Sequence, residues 1–198
     1  MKIGAFICTL GAVVLVPFTS FEARGGQADP AVAAAIGNLT DASQGTRWKA
    51  ARALRELGAR AEAAVPALAR AAGTDPSIDV QVEAMLALGA IGKRSPAAVD
   101  ALSDIVSERT GVPAMWAVIA LGYAGAGAKA AVPTLVGFLE AQTDPEGMIL
   151  AIITLGRIGP SARPALPAIE KHLGDTRVVP EWGEVAERAR ASIDLIRK

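Results

Sequence analysis

A nine-residue motif returns at a nearly constant interval along this chain, and that interval restricts the fold more than any single residue does. Ala50–Gly58 (AARALRELG), Ala84–Gly92 (AMLALGAIG), Ala117–Gly125 (AVIALGYAG) and Ala151–Gly159 (AIITLGRIG) align without gaps. Their leucines, Leu54, Leu88, Leu121 and Leu155, stand 34, 33 and 34 residues apart. A weaker fifth copy runs from Ala189 through Ile193 to Ile196. Units of this length form helical solenoids, in which each repeat buries its apolar face only against its neighbours.

A second register shares the period: Val65-Pro66-Ala67-Leu68, Val99-Asp100-Ala101-Leu102, Val132-Pro133-Thr134-Leu135 and Leu166-Pro167-Ala168-Ile169. Each unit therefore has two halves. Proline opens a helix at no cost in hydrogen bonds, because the first-turn N–H has no partner to lose. Glycine closes one, because the C′ position turns left-handed. The chain is expected to be all-α, an α-solenoid of about five helical hairpins near residues 30–58, 64–92, 97–125, 131–159 and 165–197. Asp75-Pro76, Thr110-Gly111-Val112-Pro113 and Asp144-Pro145 mark the inner loops, with Asp144 placed to cap the next helix. The fifth hairpin has a longer inner loop, Gly174 to Gly183. Gly89, Gly122 and Gly156 recur at one register inside the second helices, at a cost of about 1 kcal/mol each relative to alanine, which implies a neighbouring helix at close range.

Hydrophobic residues make up 52% of the chain but aromatic ones only 4%, so the interior is built from small aliphatic side chains spread along an axis. Twenty basic residues balance twenty acidic ones, which argues against nucleic-acid binding through a general basic field. Residues 1–28 read as a signal peptide or an N-terminal membrane anchor, leaving 29–198 as the repeat domain. Lys2 precedes an uncharged run from Ile3 to Phe21, and Gly26-Gln27-Ala28 offers a site for cleavage after Ala28. The expected location is thus outside the cytoplasm, periplasmic or extracellular, or on a membrane held by residues 3–21. Cys8, the only cysteine, lies in that leader, so cleavage would leave a mature chain without thiols.

With these registers in hand, the chain resembles the HEAT repeat family, in particular the HEAT-like units of phycobilisome lyases. The resemblance rests on the A-x-x-A-L-x-x-[IL]-G motif and on A-V-P-x-L at Ala64–Leu68 and Ala131–Leu135, and it spans roughly residues 30–198. It implies a HEAT-like superhelix. It also implies a ladder of inner-loop aspartates paired with arginines early in the second helices, but the arginine position here holds Arg47, Gln81, Ala114 and Met148, so most rungs are missing.

Material for catalysis is sparse. His172 is the single histidine and reads as a structural residue on the fifth unit. Neither a metal-ligand spacing nor a phosphate-binding glycine loop is present, so no cofactor is expected. Asp100, Asp104 and Glu108 form an i, i+4 row that reads as a solvated helix face beside Arg109. Arg47, Lys49, Arg52 and Arg55, interrupted by Trp48, make a candidate anion-binding face on the first hairpin.

The second helices of the middle units are apolar nearly all round, whereas the end units return to polar residues at the same positions. A helix apolar on every side is normally buried. The alternative is a surface that receives a partner, and Leu86, Trp116, Ile119, Tyr123, Leu150 and Ile153 are the candidate contacts, with Arg157 orienting the partner through a charge pair. The expected function is that of an exported, non-enzymatic scaffold for a protein partner, with no nucleic acid and with membrane contact only through the N-terminal segment. The family resemblance implies the alternative, a lyase, isomerase or chaperone-like accessory protein of the phycobilisome lyase type.

Overall fold

The computed structural model describes residues 29–198; the leader, the anchor alternative, the cleavage point and Cys8 lie outside the described residues. Among the described residues ten α-helices run in chain order: α1 (Pro30–Asn38), α2 (Gln44–Leu57), α3 (Val65–Thr74), α4 (Ile78–Ile91), α5 (Pro96–Glu108), α6 (Val112–Ala124), α7 (Val132–Ala141), α8 (Pro145–Ile158), α9 (Leu166–Glu170) and α10 (Val185–Arg197). They pair as five antiparallel hairpins and stack into an α-solenoid. Odd helices form one layer. Even helices form the other, α2 packing on α4, α4 on α6, α6 on α8 and α8 on α10.

The local chemistry obeys the two registers. Asp29 caps α1 by accepting from the Ala31 N–H at 3.0 Å, and Asp144 caps α8 by accepting from the Gly147 N–H at 2.8 Å. Pro66, Pro133 and Pro167 occupy first turns. Gly58, Gly125 and Gly159 take positive φ angles of 54°, 55° and 74° where α2, α6 and α8 end, conformations that a side chain resists. Each of these glycines opens a seven-residue 3-10 segment leading into the next hairpin: Gly58–Ala64, Gly125–Ala131 and Gly159–Ala165.

The junction between the second and third hairpins departs from this pattern. Gly92 keeps a right-handed φ of −59°, and the chain reaches Pro96 without a 3-10 segment. In compensation α5 has 13 residues where α3 and α7 have 10, so the repeat keeps its pitch. The fifth inner loop departs too. Val178–Val179 pair antiparallel with Gly183–Glu184 in a two-stranded ribbon whose turn is closed by the Trp182 N–H donating to the Val179 carbonyl, Gly183 taking a φ of 82°, and α9 is cut to five residues.

The repeated leucines Leu54, Leu88, Leu121 and Leu155 are fully buried. Burial of a leucine stabilises by roughly 1.5–3 kcal/mol, and the series makes one continuous core along the axis. The recurring glycines set how closely the even helices approach. A Cβ at Gly89 would lie 2.4 Å from the Ala120 carbonyl oxygen, one at Gly156 2.6 Å from Ser192 Oγ, and one at Gly122 3.1 Å from Thr154 Oγ1. The even helices thus form a closely spaced layer.

Candidate interaction surface

Most of the apolar residues singled out on the middle helices are neither fully packed nor fully bare. Trp116, Ile119 and Ile153 are half-buried, resting on the core while presenting an edge to solvent, and Leu86 is half-buried too. Tyr123 is 53% exposed, which removes it from the packing account altogether. Leu150 goes the other way: it is 4% exposed and belongs to the core, so it is corrected from a surface contact to a packing residue. Leu150 joins the continuous core of α8 with Ile149, Ala151 and Ile152. Arg157 is exposed, and its guanidinium lies 5.8 Å from the centre of the Tyr123 ring, tying α8 to α6 by a cation–π contact.

The basic residues of α2 turn out to be spoken for. Arg47 grips Asp75 with two hydrogen bonds, Nε to Oδ2 at 2.7 Å and NH2 to Oδ1 at 3.0 Å, and its NH1 donates to the carbonyls of Asp41 and Ala42. That hydrogen-bonded guanidinium holds the Asp75 carboxyl below the usual carboxylate range, against the opposing pull of burial, with the Ser77 N–H assisting. Arg52 pairs with Glu56 at 3.2 Å and stacks over Trp48, 5.3 Å from its centroid. Arg55 lies 3.0 Å from Glu83. Of the proposed anion-binding face, only Lys49 lacks a partner among the described residues, so the face is neutralised by carboxylates that α3–α4 and α2 itself supply. Arg47–Asp75 is the one rung of the aspartate–arginine ladder among the described residues; Gln81, one repeat on, donates instead to the Asp75 carbonyl at 2.6 Å.

Between α2, α4 and α6 the layer of even helices opens into a cleft of about 750 Å³ lined by Gln44, Gly45, Trp48, Lys49, Ile78, Asp79, Val82, Glu83 and Trp116. Sequence reasoning passed over Asp79 and Glu83. The available signal was a carboxylate, Glu83, set among Val82, Ala84 and Met85 in an otherwise apolar stretch.

The remaining candidates lie outside that cleft. His172 is partly buried, and burial lowers its pKa against the pull of Asp175, which stands 4.0 Å away. Asp175 itself is lowered to about 2, chiefly by the Arg177 guanidinium that it accepts hydrogen bonds from. Asp100, Asp104 and Glu108 are exposed on α5. Among the described residues no group of three His, Cys, Asp or Glu side chains is placed to hold a metal ion.

The match to known families agrees with this architecture: residues 30–122 fit the family model for HEAT repeats. These residues are HEAT repeats. Beyond them the same HEAT-like stacking continues through α10, and solved structures share it. A chain in the complex of CpcE and CpcF of phycocyanin lyase from Nostoc sp. PCC7120 is similar with a TM-score of 0.63 and 24% identity, covering 87% of this chain and 66% of that one. An engineered protein solved by crystallography is similar with a TM-score of 0.56 and 23% identity, covering 83% of this chain and 78% of its own. At these identities the likeness is one of fold. No curated protein matches the sequence.

Proposed function

We propose that this HEAT-repeat scaffold binds a protein partner through the inner surface of its even helices and performs no chemistry of its own. The observation that carries the reading is the band formed by Leu86, Trp116, Ile119, Tyr123 and Ile153. In this band apolar groups with polar neighbours remain open to solvent across three successive repeats. Large aromatic and aliphatic side chains in such a band suit the desolvated centre of an interface. Arg157, already seated on Tyr123, sits at its edge, where a charge sets orientation more than affinity. The leader at residues 1–28 supports export or membrane attachment, so the partner belongs to the same compartment. Mass spectrometry of the mature N-terminus decides between cleavage and anchoring.

The test is substitution of Trp116 or Ile119 by glutamate, followed by partner capture from the native envelope and by circular dichroism. Loss of capture with an unchanged helical spectrum and melting curve supports the interface. Unfolding of both variants assigns these residues to packing. A second reading, an accessory protein acting on a pigment-bearing partner, draws on the likeness to a chain of the phycocyanin lyase complex. Visible absorbance that copurifies with the protein would favour it.

A further inference from the structure

We infer that the edge of the solenoid where one hairpin passes into the next lies against the anionic headgroups of a phospholipid bilayer, held there by a row of exposed basic side chains. This goes beyond a scaffold whose membrane contact is confined to its N-terminal segment, and it rests on the membrane-anchored reading of that segment.

The junctions between hairpins, 58–64, 92–95, 125–131 and 159–165, share one edge, since an even helix ends and the next odd helix begins at each. They stack directly: a Cβ on Gly127 would stand 2.4 Å from the Gly92 carbonyl oxygen, and 125–131 touches 159–165. These four segments carry five cations, Arg60, Lys93, Arg94, Lys129 and Arg163, against one carboxylate, Glu62, and all of these side chains are exposed. Arg60 is balanced by Asp29. Among the described residues Lys93, Arg94, Lys129 and Arg163 form no ion pair, so four free positive charges face Glu62 alone. Where α10 ends at the same edge, Arg197 pairs with Glu170, and Lys198 follows Asp194 by one turn.

The opposite edge has the reverse sign. The inner loops 39–43, 75–77, 109–111, 142–144 and 171–184 carry six carboxylates, Asp41 and Asp144 among them, against three cations. A helix such as α4, with 14 residues, separates the two edges by about 21 Å, roughly twice the Debye length of about 8–10 Å at ordinary salt. An anionic bilayer therefore attracts the junction edge, while its repulsion of the loop edge is screened.

The covalent path selects the same edge. Asp29, the first described residue, is joined to Arg60 on the first junction. Eight residue steps separate Asp29 from Phe21, the end of the uncharged run, and they reach at most about 29 Å. Turning the loop edge to the bilayer would consume about 21 Å of that reach along the helices, whereas turning the junction edge to it consumes none. Charge and tether thus choose one orientation independently, and the tether makes weak headgroup contacts effectively intramolecular.

The experiment reconstitutes the full chain, in a Cys8→Ala background, into vesicles of phosphatidylcholine alone and of a two-to-one mixture with phosphatidylglycerol. A fluorophore is placed on the junction edge through Ala130→Cys or on the loop edge through Thr110→Cys, both at exposed positions. Quenching by nitroxides on the lipid headgroups reports which edge is near the bilayer. The ratio of quenching at position 130 to that at position 110 is expected to be at least about twofold larger in the anionic vesicles than in the neutral ones. It should return to the neutral value when Lys93→Gln, Arg94→Gln, Lys129→Gln and Arg163→Gln are combined, and equally at about 1 M salt, where the Debye length falls to about 3 Å. The salt arm needs no variant, so it stands even if the fourfold substitution unfolds. A ratio that is the same in both lipids, or that ignores both salt and the four substitutions, overturns the docking edge. A fourfold variant that loses capture of an acidic protein but keeps its lipid ratio assigns the edge to that protein and overturns it too. Carbonate extraction tests the anchor by itself. If the chain is released, the anchor reading fails, and the ratio is read with the chain added to preformed vesicles, where a salt-sensitive preference for anionic lipid sustains the edge and its absence removes it. Trp116→Glu is expected to leave the ratio unchanged, so partner capture and lipid docking fail separately.

Discussion

Gly89 and Ala120 meet through backbone alone: a methyl group on Gly89 would sit 2.4 Å from the Ala120 carbonyl oxygen, closer than any carbon and oxygen can rest. This contact holds α4 against α6, and Gly156 makes a similarly close approach between α8 and α10, there to the Ser192 side chain. Alanine is the better helix former by about 1 kcal/mol, yet Gly89→Ala is expected to destabilise the protein by about 1–3 kcal/mol, because a rigid carbonyl must be displaced. Gly122→Ala is expected to cost less, since its nearest neighbour is the Thr154 hydroxyl at 3.1 Å, a side-chain atom that can shift. Urea denaturation of the two variants ranks them; a Gly89→Ala variant as stable as the parent would refute the close approach.

Thr154 offers a second check on the same interface. Its hydroxyl is buried and donates to the Val118 carbonyl at 3.1 Å, joining α8 to α6. Thr154→Val keeps the shape and removes the bond, and should lower stability by about 0.5–1.5 kcal/mol. A melting curve indistinguishable from the parent would show that the bond is immaterial.

Leu121 is fully buried in the central repeat and belongs to the core that runs through the stack. Leu121→Ala should cost about 2–5 kcal/mol. In a stack held by nearest-neighbour coupling it should also broaden the unfolding transition by separating the two ends of the rod. Hydrogen exchange on α2 and α10 would detect this, as loss of protection at unequal rates.

Acid should weaken the fold in a defined order. Burial lowers the pKa of His172 below its ordinary 6.5, so the stability tied to its neutral form is complete above that value and declines as pH falls. Asp75 and Asp175 have pKa values depressed by Arg47 and Arg177. Their contribution is complete above the ordinary carboxylate value of 3.8 and is lost as pH drops through the folded values, about 2 for Asp175. Urea midpoints measured from pH 8 to pH 2 should therefore fall in two stages. His172→Gln should flatten the upper stage, and Asp75→Asn with Asp175→Asn the lower one. A profile unchanged in these variants would contradict the pairings.

The legible part of the site had one physical signature, a run of aliphatic residues on helix faces where a lone hairpin would show polar groups. Trp116, Ile119 and Tyr123 could be named from that pattern. Leu150 shows its limit: it occupies the position equivalent to Trp116, yet it is buried in the core. Arg47 shows the complementary limit. As a neighbour of Lys49 and Arg52 it reads as part of a basic patch, but Asp75, 28 residues later, arrives within 2.7 Å and cancels it.

The architecture was written in the chain at short range, because a spacing of 33 or 34 residues with apolar, proline and glycine positions in phase has one economical solution, hairpins stacked in series. Folding alone settled which of those side chains stay open, where the second junction drops its 3-10 segment, that Val178–Val179 would pair with Gly183–Glu184, and that Glu83 and two indoles would enclose a cleft. Periodicity reports what each helix must hide. Exposure and charge depend on which group a neighbouring repeat brings alongside, and that is a property of the stacked assembly.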